Sequence, residues 1–360
     1  MRQAIRPSQE ILADENPRVR NLAAVALGAI GPDKTLVPAL VEALKDESSE
    51  VRYWAATALR DSAAKEAAPA LLALVKQAPL ATRREALTLL GQVKPASKEV
   101  VSELIRIVKH ETDLDLYSRA VTALGDIGPS AKDAIPALVE ALKNESWPFQ
   151  QGVIRAVGAF GQDARPAVPA LLKALNDDNP EIRVYAAASL WQIERRSERV
   201  LPVVLAALQG SPSTPQSDGD NVAMRVPGHG ASALSDLPAP VLPANFNYVH
   251  VLALKVLCQV EPKTGYPLLC KAIQAKESDS RLSAILTAGE LGPEAKEAVP
   301  ALIQVLRDKN DWHVQAAQSL GQIGRAAASA LPAFREAAKE DDPFVRRAAH
   351  SAIKLVSGES

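Results

Sequence analysis

The chain has 360 residues, of which 47% are hydrophobic but only 4% aromatic, and this favours close helix packing over a β-sheet. Its 41 basic and 42 acidic residues give a net charge of −1, so no global field would attract nucleic acid or an anionic membrane. The two cysteines, Cys258 and Cys270, do not indicate a disulfide framework. We expect both to be small buried residues.

The N-terminal stretch 1–14 has the pattern of the second half of a helical pair, with apolar residues at Ile5, Ile11 and Leu12. It lacks the apolar core of a signal peptide. No run elsewhere in the sequence is long enough to span a bilayer. We therefore predict a partial unit at 1–14, which is either a half-repeat cap or the remainder of a longer protein.

A repeated phrase begins at Asp14 and ends at Asp46: DENPRVRNLAAVALGAIGPDKTLVPALVEALKD. Its apolar residues recur at helical spacing on both sides of a Gly-Pro pair, which predicts a helix, a short turn and a second helix. The arginine of the phrase recurs 32 residues later, from Arg20 to Arg52, and 31 residues after that at Arg83. The proline that opens the second helix recurs at Pro38, Pro69, Pro136, Pro169, Pro202, Pro300 and Pro332. Such a period is typical of a helical repeat array.

Each repeat carries residues suited to start and stop its helices. The predicted N-caps of first helices are Asp14, Asp46, Asn144, Asp178 and Asp341. The Gly-Pro pairs predicted to end first helices are Gly31–Pro32, Gly128–Pro129 and Gly292–Pro293. A proline at the start of the second helix removes an N–H group that the helix does not need there.

These motifs resemble the HEAT family, in the short-repeat form also found in bilin-lyase-type proteins. The matching features are the Val-Arg pair early in the first helix, the AAxALGxIGP end of that helix and the VPALVEALKD second helix. The resemblance implies an all-α fold, a superhelical α-solenoid of stacked antiparallel helix pairs, over residues 1–360. Repeats are expected at about 15–210 and 248–340, with a C-terminal cap at 341–356. In such an array the second helices line a concave face.

The resemblance also gives the recurring arginines a structural role, because in HEAT proteins this residue bonds to the aspartate of a neighbouring loop. The arginines concerned are Arg20, Arg52, Arg183, Arg281 and Arg346. We expect them to stabilise the repeats rather than to form a phosphate-binding patch.

The chain has four tryptophans, which lie in or at the start of first helices: Trp54, Trp147, Trp191 and Trp312. Core or seam packing is their expected role. Trp147 is the best candidate for exposure because its neighbours, Ser146 and Pro148, mark a loop.

The helical rhythm stops between Gln209 and Asn247, where proline and glycine are frequent. A loop this long inside a compact array is uncommon and is usually either functional or disordered, and a tolerated surface loop is the alternative to a functional role. We predict that 210–221 is mobile, that the apolar part 232–246 packs on the scaffold, and that the insert 209–247 borders a partner site. The candidate partner-binding residues are Trp147, Arg225, His229, Leu237, Leu242 and Phe246.

The sequence contains little that indicates catalysis. A di-iron hydroxylase is known on the HEAT fold, but it takes its ligands from several His-Glu pairs, and this chain has one, His110–Glu111. No nucleophile elbow or phosphate-binding glycine motif is present. We therefore predict a monomeric, cytoplasmic, non-enzymatic scaffold that binds a protein partner through the concave face of the solenoid, with no cofactor, no metal, no nucleic acid and no membrane. The alternative is an accessory or catalytic HEAT-like protein of the bilin-lyase or di-iron hydroxylase kind.

Overall fold

The computed structural model describes most of the chain. The ranges it describes are 11–30, 34–62, 64–95, 97–143, 149–208, 248–275, 281–308 and 312–358. Every regular element in these ranges is a helix, which confirms the predicted all-α fold.

The helices alternate between the first and the second helix of each repeat. The first helices are α1 (Pro17–Ile30), α3 (Ser49–Ser62), α5 (Leu80–Val93), α7 (Leu114–Ile127), α9 (Phe149–Ala159), α11 (Pro180–Glu194), α13 (Tyr248–Val260), α15 (Arg281–Glu290), α17 (His313–Ile323) and α19 (Pro343–Ser357). The second helices are α2 (Val37–Ala43), α4 (Ala64–Gln77), α6 (Lys98–His110), α8 (Ile135–Ala141), α10 (Val168–Ala174), α12 (Ser197–Leu208), α14 (Pro262–Gln274), α16 (Val299–Arg307) and α18 (Leu331–Ala337).

The chain divides into two compact units, and each is a two-layer stack. The first unit comprises Met1–Lys173 with Gln192–Arg195, and the second comprises Ala174–Trp191 with Arg196–Ser360. In the first unit α1, α3, α5, α7 and α9 pack in succession as one layer, while α2, α4, α6 and α8 form the other. The second unit repeats this arrangement with α13, α15, α17 and α19 in one layer and α14, α16 and α18 in the other.

The core lies between the two layers of each unit. First helices contribute small residues such as Ala23 and Ala24, which let neighbouring helices approach closely. Second helices contribute a recurring leucine that is fully buried at Leu40, Leu71, Leu104 and Leu138. Burial of one such side chain stabilises the fold by about 1.5–3 kcal/mol. We call this residue the anchor leucine and count the other positions of each second helix from it.

Glycine marks the exit from several first helices. Gly128 adopts a φ of 64° and Gly324 a φ of 69°, a region that side chains disfavour. Each opens a short 3-10 segment that leads into the second helix: Gly128–Ala134, Gly161–Ala167, Gly292–Ala298 and Gly324–Ala330. In the third repeat Lys94 takes the left-handed position, with a φ of 49°.

Proline opens most of the second helices, as predicted. It stands in the first turn of α2, α8, α16 and α18. Pro69 and Pro202 are exceptions, because α4 and α12 begin earlier and enclose them. In these two repeats no glycine and 3-10 segment follow the first helix, so α4 and α12 can start soon after α3 and α11 end.

The helix caps lie one or two residues beyond some of the predicted positions. Asp14 accepts a hydrogen bond from the Asn16 N–H, and Asn16 in turn accepts from the Arg18 N–H inside α1. In the same way Asn179, not Asp178, caps α11. The cap of α19 is Asp342 rather than Asp341. Consecutive acidic and amide residues first close a turn and then cap the helix, so the sequence alone leaves the register open. The predicted cap Asn144 lies outside the described residues.

Candidate protein-binding face

The sequence-predicted site residues all lie outside the part of the chain that the structure describes. They are Trp147, Arg225, His229, Leu237, Leu242 and Phe246. The insert 209–247, in which five of them lie, is outside it as well. Their part in partner binding stays a prediction.

The recurring arginines hold the loops that precede their own helices. Arg20 Nη1 donates to the carbonyl oxygens of Asp14 and Glu15, at 2.8 and 3.0 Å. The same contacts, six and five residues earlier in the chain, are made by Arg52, Arg183 and Arg346. Five donors on a rigid guanidinium suit this double contact. The structural role predicted for these residues is confirmed.

Arg20 also reaches the loop of the next repeat. Its Nε and Nη2 groups donate to the two carboxylate oxygens of Asp46, at 2.6 and 2.9 Å. Asp46 accepts a further bond from the Ser48 N–H. Burial opposes ionisation of Asp46, but these hydrogen bonds outweigh it and lower the pKa of the carboxyl. The contact is the arginine–aspartate link that the resemblance implied.

Arg83 makes the corresponding link with a glutamate. Its Nη2 group lies 2.7 Å from the Glu111 carboxylate, which also accepts from the Thr112 N–H. The hydrogen bond from Arg83 is the main cause that lowers the pKa of Glu111. Glu111 therefore supports a loop, and its partner in the His-Glu pair, His110, is exposed.

Arg281 is held in a different way. It is buried, and its Nε group donates to the Ile273 carbonyl oxygen at 2.8 Å. A buried charge needs such partners, so this contact also supports a structural role.

The second helices of the first unit expose two positions that recur on one side. They lie two and five residues after the anchor leucine, and both are exposed on α2, α4, α6 and α8. On α2 these are Glu42 and Lys45, which form an ion pair of 2.7 Å. On α8 Glu140 and Lys143 form the same pair at 2.6 Å. We call the exposed positions of α2, α4, α6 and α8 the second-helix face.

The two middle helices of this face depart from the Glu-Lys pattern. On α4 the pair is replaced by Ala73 and Lys76, and on α6 by Arg106 and Lys109. Arg106 is held by Glu103, whose side chain is only 9% exposed. The position of Glu103, one residue before the anchor leucine, is apolar in the other second helices: Ala39, Ala70, Ala137, Ala170, Val203, Leu268, Ala301 and Ala333. This departure is visible in the sequence once the second helices are aligned on the anchor leucine.

A second exposed feature lies on the first helices α1 and α3. Leu22 is 68% exposed, and Tyr53 and Trp54 stack edge to face with ring centroids 5.3 Å apart. Trp54 is 37% exposed, so the prediction of core or seam packing is wrong for this residue. Leu22 and Trp54 both lie two residues after the recurring arginine, a position outside the buried Ala and Leu stripe. Trp191 and Trp312 are partly exposed.

The two cysteines belong to the packing of α13 and α14. Cys258 is buried and Cys270 partly buried, and neither forms a disulfide. Burial raises the pKa of Cys258 to about 12, so its thiol is protonated at neutral pH. The helices approach so closely that a Cβ atom on Gly265 would lie 2.6 Å from the Cys258 Cα atom. The prediction of a small buried residue is confirmed for Cys258, whereas Cys270 is only partly buried.

Two other features, a metal-binding cluster and a membrane-spanning helix, are absent from the described ranges. No group of three or more His, Cys, Asp or Glu side chains is arranged there to hold a metal ion. None of the helices there combines the length and the hydropathy needed to cross a bilayer.

The repeated helical pairs and their arginine links agree with a comparison against protein families. The family model for HEAT repeats matches residues 5–91, 71–148, 101–179, 135–215 and 239–321. The chain belongs to the HEAT repeat family. No curated protein matches the sequence.

Solved structures of other helical repeat proteins resemble this HEAT chain weakly. The CpcE–CpcF complex of phycocyanin lyase from Nostoc sp. PCC7120 includes a chain 16% identical, with 89% of this chain and 93% of that chain covered and a TM-score of 0.41. YibA of Escherichia coli is 17% identical, with coverages of 79% and 90% and a TM-score of 0.39. Neither likeness carries a functional argument.

Proposed function

We propose that this HEAT protein is a non-enzymatic scaffold that binds another protein through the second-helix face. The observation that carries the proposal is the recurrence of exposed side chains at the same two positions of four neighbouring second helices. At about 8–10 Å between packed helices, four helices give a continuous face roughly 30 Å long. A specific protein interface needs about 800 Å² on each partner, which a face of this length can supply.

The insert 209–247 is part of the same proposal. We place it at the border of the partner site, where Leu237, Leu242 and Phe246 would add apolar contact area. Proline-rich chain loses little conformational entropy when it docks in an extended form. Arg225, His229 and Trp147 are the polar and aromatic residues that we expect to contact the partner.

Site-specific photocrosslinking tests the proposal. A photoreactive amino acid is placed at Ala73 on the second-helix face, and a matched control carries it at Thr122, an exposed position of the first helix α7. We expect the Ala73 probe to crosslink a protein from the native cell and the Thr122 probe to give no such product. The same product from both positions, or none from Ala73, would contradict the proposal.

Deletion of residues 211–244 from the Ala73 probe tests the role of the insert. We expect the yield of the crosslinked partner to fall. An unchanged yield would show that the insert does not border the site.

A further inference from the structure

The middle of the second-helix face carries three cations, of which the two lysines have no acidic partner among the described residues. Lys76 and Lys109 are exposed, and among the described residues neither forms an ion pair. The equivalent lysines, Lys45 and Lys143, are paired with a glutamate three residues earlier. A lysine near the end of a helix is ordinary, because it interacts favourably with the helix dipole. The glutamate is present on α2, α8 and α18 and absent from the other second helices. On the neighbouring helices α4 and α6 its absence leaves an exposed lysine, Lys76 or Lys109, without a glutamate three residues earlier.

The third cation of this group is held in place. Arg106 donates from Nε and Nη2 to a single oxygen of Glu103, at 3.0 and 2.7 Å. Its side chain remains 50% exposed, and the Nη1 group is left for another acceptor. Because Glu103 is nearly buried, it orients the guanidinium while Arg106 stays accessible on the surface. A pre-oriented arginine loses less side-chain entropy when it binds a carboxylate.

The three cations are close enough to act together. Arg106 and Lys109 are three residues apart on α6, which puts their Cβ atoms about 5–6 Å from each other. Lys76 lies at the same repeat position on the adjacent helix α4, and packed helices are about 8–10 Å apart. These separations are within about one Debye length at physiological ionic strength.

We propose that an acidic segment of the partner protein binds across α4 and α6, with its Asp or Glu side chains on Lys76, Arg106 and Lys109. This inference rests on the proposed function and names the chemistry of the partner at that site. Glu42 and Glu140 lie on the flanking helices, so the positive surface is short and bounded by carboxylates on both sides. A short acidic peptide segment fits this pattern. A nucleic acid backbone, which carries charge along its whole length, does not.

The test compares two double variants of the full-length protein that remove the same charge. Lys76→Ala/Lys109→Ala removes the unpaired lysines of the second-helix face, and Lys132→Ala/Lys296→Ala removes two exposed lysines from the 3-10 segments Gly128–Ala134 and Gly292–Ala298, outside that face. Binding of a fluorescent glutamate-rich peptide is measured by anisotropy at low salt, with thermal melts to confirm that both variants are folded. We expect the first variant to bind roughly fivefold more weakly and the second to stay within about twofold of the wild type.

Three results would overturn the inference: equal loss of affinity in both variants, no loss in the first, or tighter binding of a single-stranded oligonucleotide than of the peptide. The Ala73 photocrosslink separates this failure from failure of the proposed function. If Lys76→Ala/Lys109→Ala keeps the full crosslinked product, the face binds a partner but not through these lysines. If the wild type gives no product at Ala73, the proposed function itself is wrong.

Discussion

The carboxyl ends of α2 and α4 carry equivalent lysines and lie beside equivalent arginines, but only α2 supplies carboxylates for them. Beside α2, Asp46 binds Arg20 and Glu42 binds Lys45. Beside α4, Gln77 stands at the position of Asp46 and Ala73 at the position of Glu42. Within the described part of the chain, the Arg52 Nε group consequently has no hydrogen-bond partner and Lys76 forms no ion pair.

We propose that this difference separates residues that stabilise the fold from residues that bind the partner. The helices α3 and α4 pack as α1 and α2 do, and Arg52 still holds its own loop through the Asp46 and Glu47 carbonyl oxygens. What the α4 end lacks is the negative charge beside its cations. An unpaired buried donor such as the Arg52 Nε group is expected to cost some stability. The exposed Lys76 leaves positive charge on the surface, as the proposed binding site requires.

The largest effect on stability is expected from removal of Asp46, the carboxylate beside α2 that has no equivalent beside α4. Asp46→Ala leaves the Arg20 guanidinium without its nearly buried partner and should destabilise the protein by about 2–4 kcal/mol. The matched change Gln77→Ala removes no ion pair and should cost less than about 0.5 kcal/mol. Urea unfolding of the two variants measures both values. Similar losses of stability in the two variants would show that the chain after α2 and the chain after α4 do not differ in ion pairing.

The carbonyl contacts of the arginines can be tested separately at Arg183. Arg183→Ala removes the bonds to the Asp177 and Asp178 carbonyl oxygens and should cost about 1–3 kcal/mol of stability, with binding unaffected. Unfolding in urea gives the cost, and anisotropy with the glutamate-rich peptide gives the binding. Full stability combined with lost binding would contradict the structural role.

The contribution of Asp46 should depend on pH. The pKa of this carboxyl is lower in the folded protein than its ordinary value of 3.8, so its stabilising effect is complete well above that pH. The effect falls away as the pH drops through the lowered pKa of the folded state. The stability difference between the wild type and Asp46→Asn should therefore be largest near neutral pH and small near pH 2 in urea titrations. A difference that does not change with pH would refute the account.

A smaller effect of opposite sign, a gain in stability, is expected when a carboxylate is added beside α4. Gln77→Asp places a carboxylate near the unpartnered Arg52 Nε group and should raise stability by about 0.5–1 kcal/mol. Gln77→Asn, which adds no charge, is the control, and the rise in melting temperature should be absent there. A gain in both variants would point to the loop geometry rather than to the ion pair.

The sequence predicted the architecture well because the repeat imposes it many times. The recurring proline and arginine gave the helical pairs, and the arginine–aspartate link was found where expected, between Arg20 and Asp46. The N-caps were displaced, as at Asp342, because adjacent polar residues can each close a turn or cap the helix, and the sequence does not show which of them does so.

The surface was harder to predict than the core. A helical pattern does not show whether a large side chain such as Trp54 meets a neighbouring helix or solvent. The proposed role of Lys76 and Arg106 depends on the absence of a glutamate from one position of α4 and α6. The helical pattern alone does not show that this position is exposed. The predicted residues of the insert lie outside the described part of the chain.

The most direct test of the account gives α4 the carboxylate that α2 has. Ala73→Glu should form a Glu-Lys pair with Lys76, and it should lower the affinity for the glutamate-rich peptide roughly fivefold without loss of thermal stability. Ala73→Gln has nearly the same size but no charge, and it should bind the peptide within about twofold of the wild type. If Ala73→Glu binds the peptide as tightly as Ala73→Gln does, the unpaired cations of α4 and α6 are not the binding site.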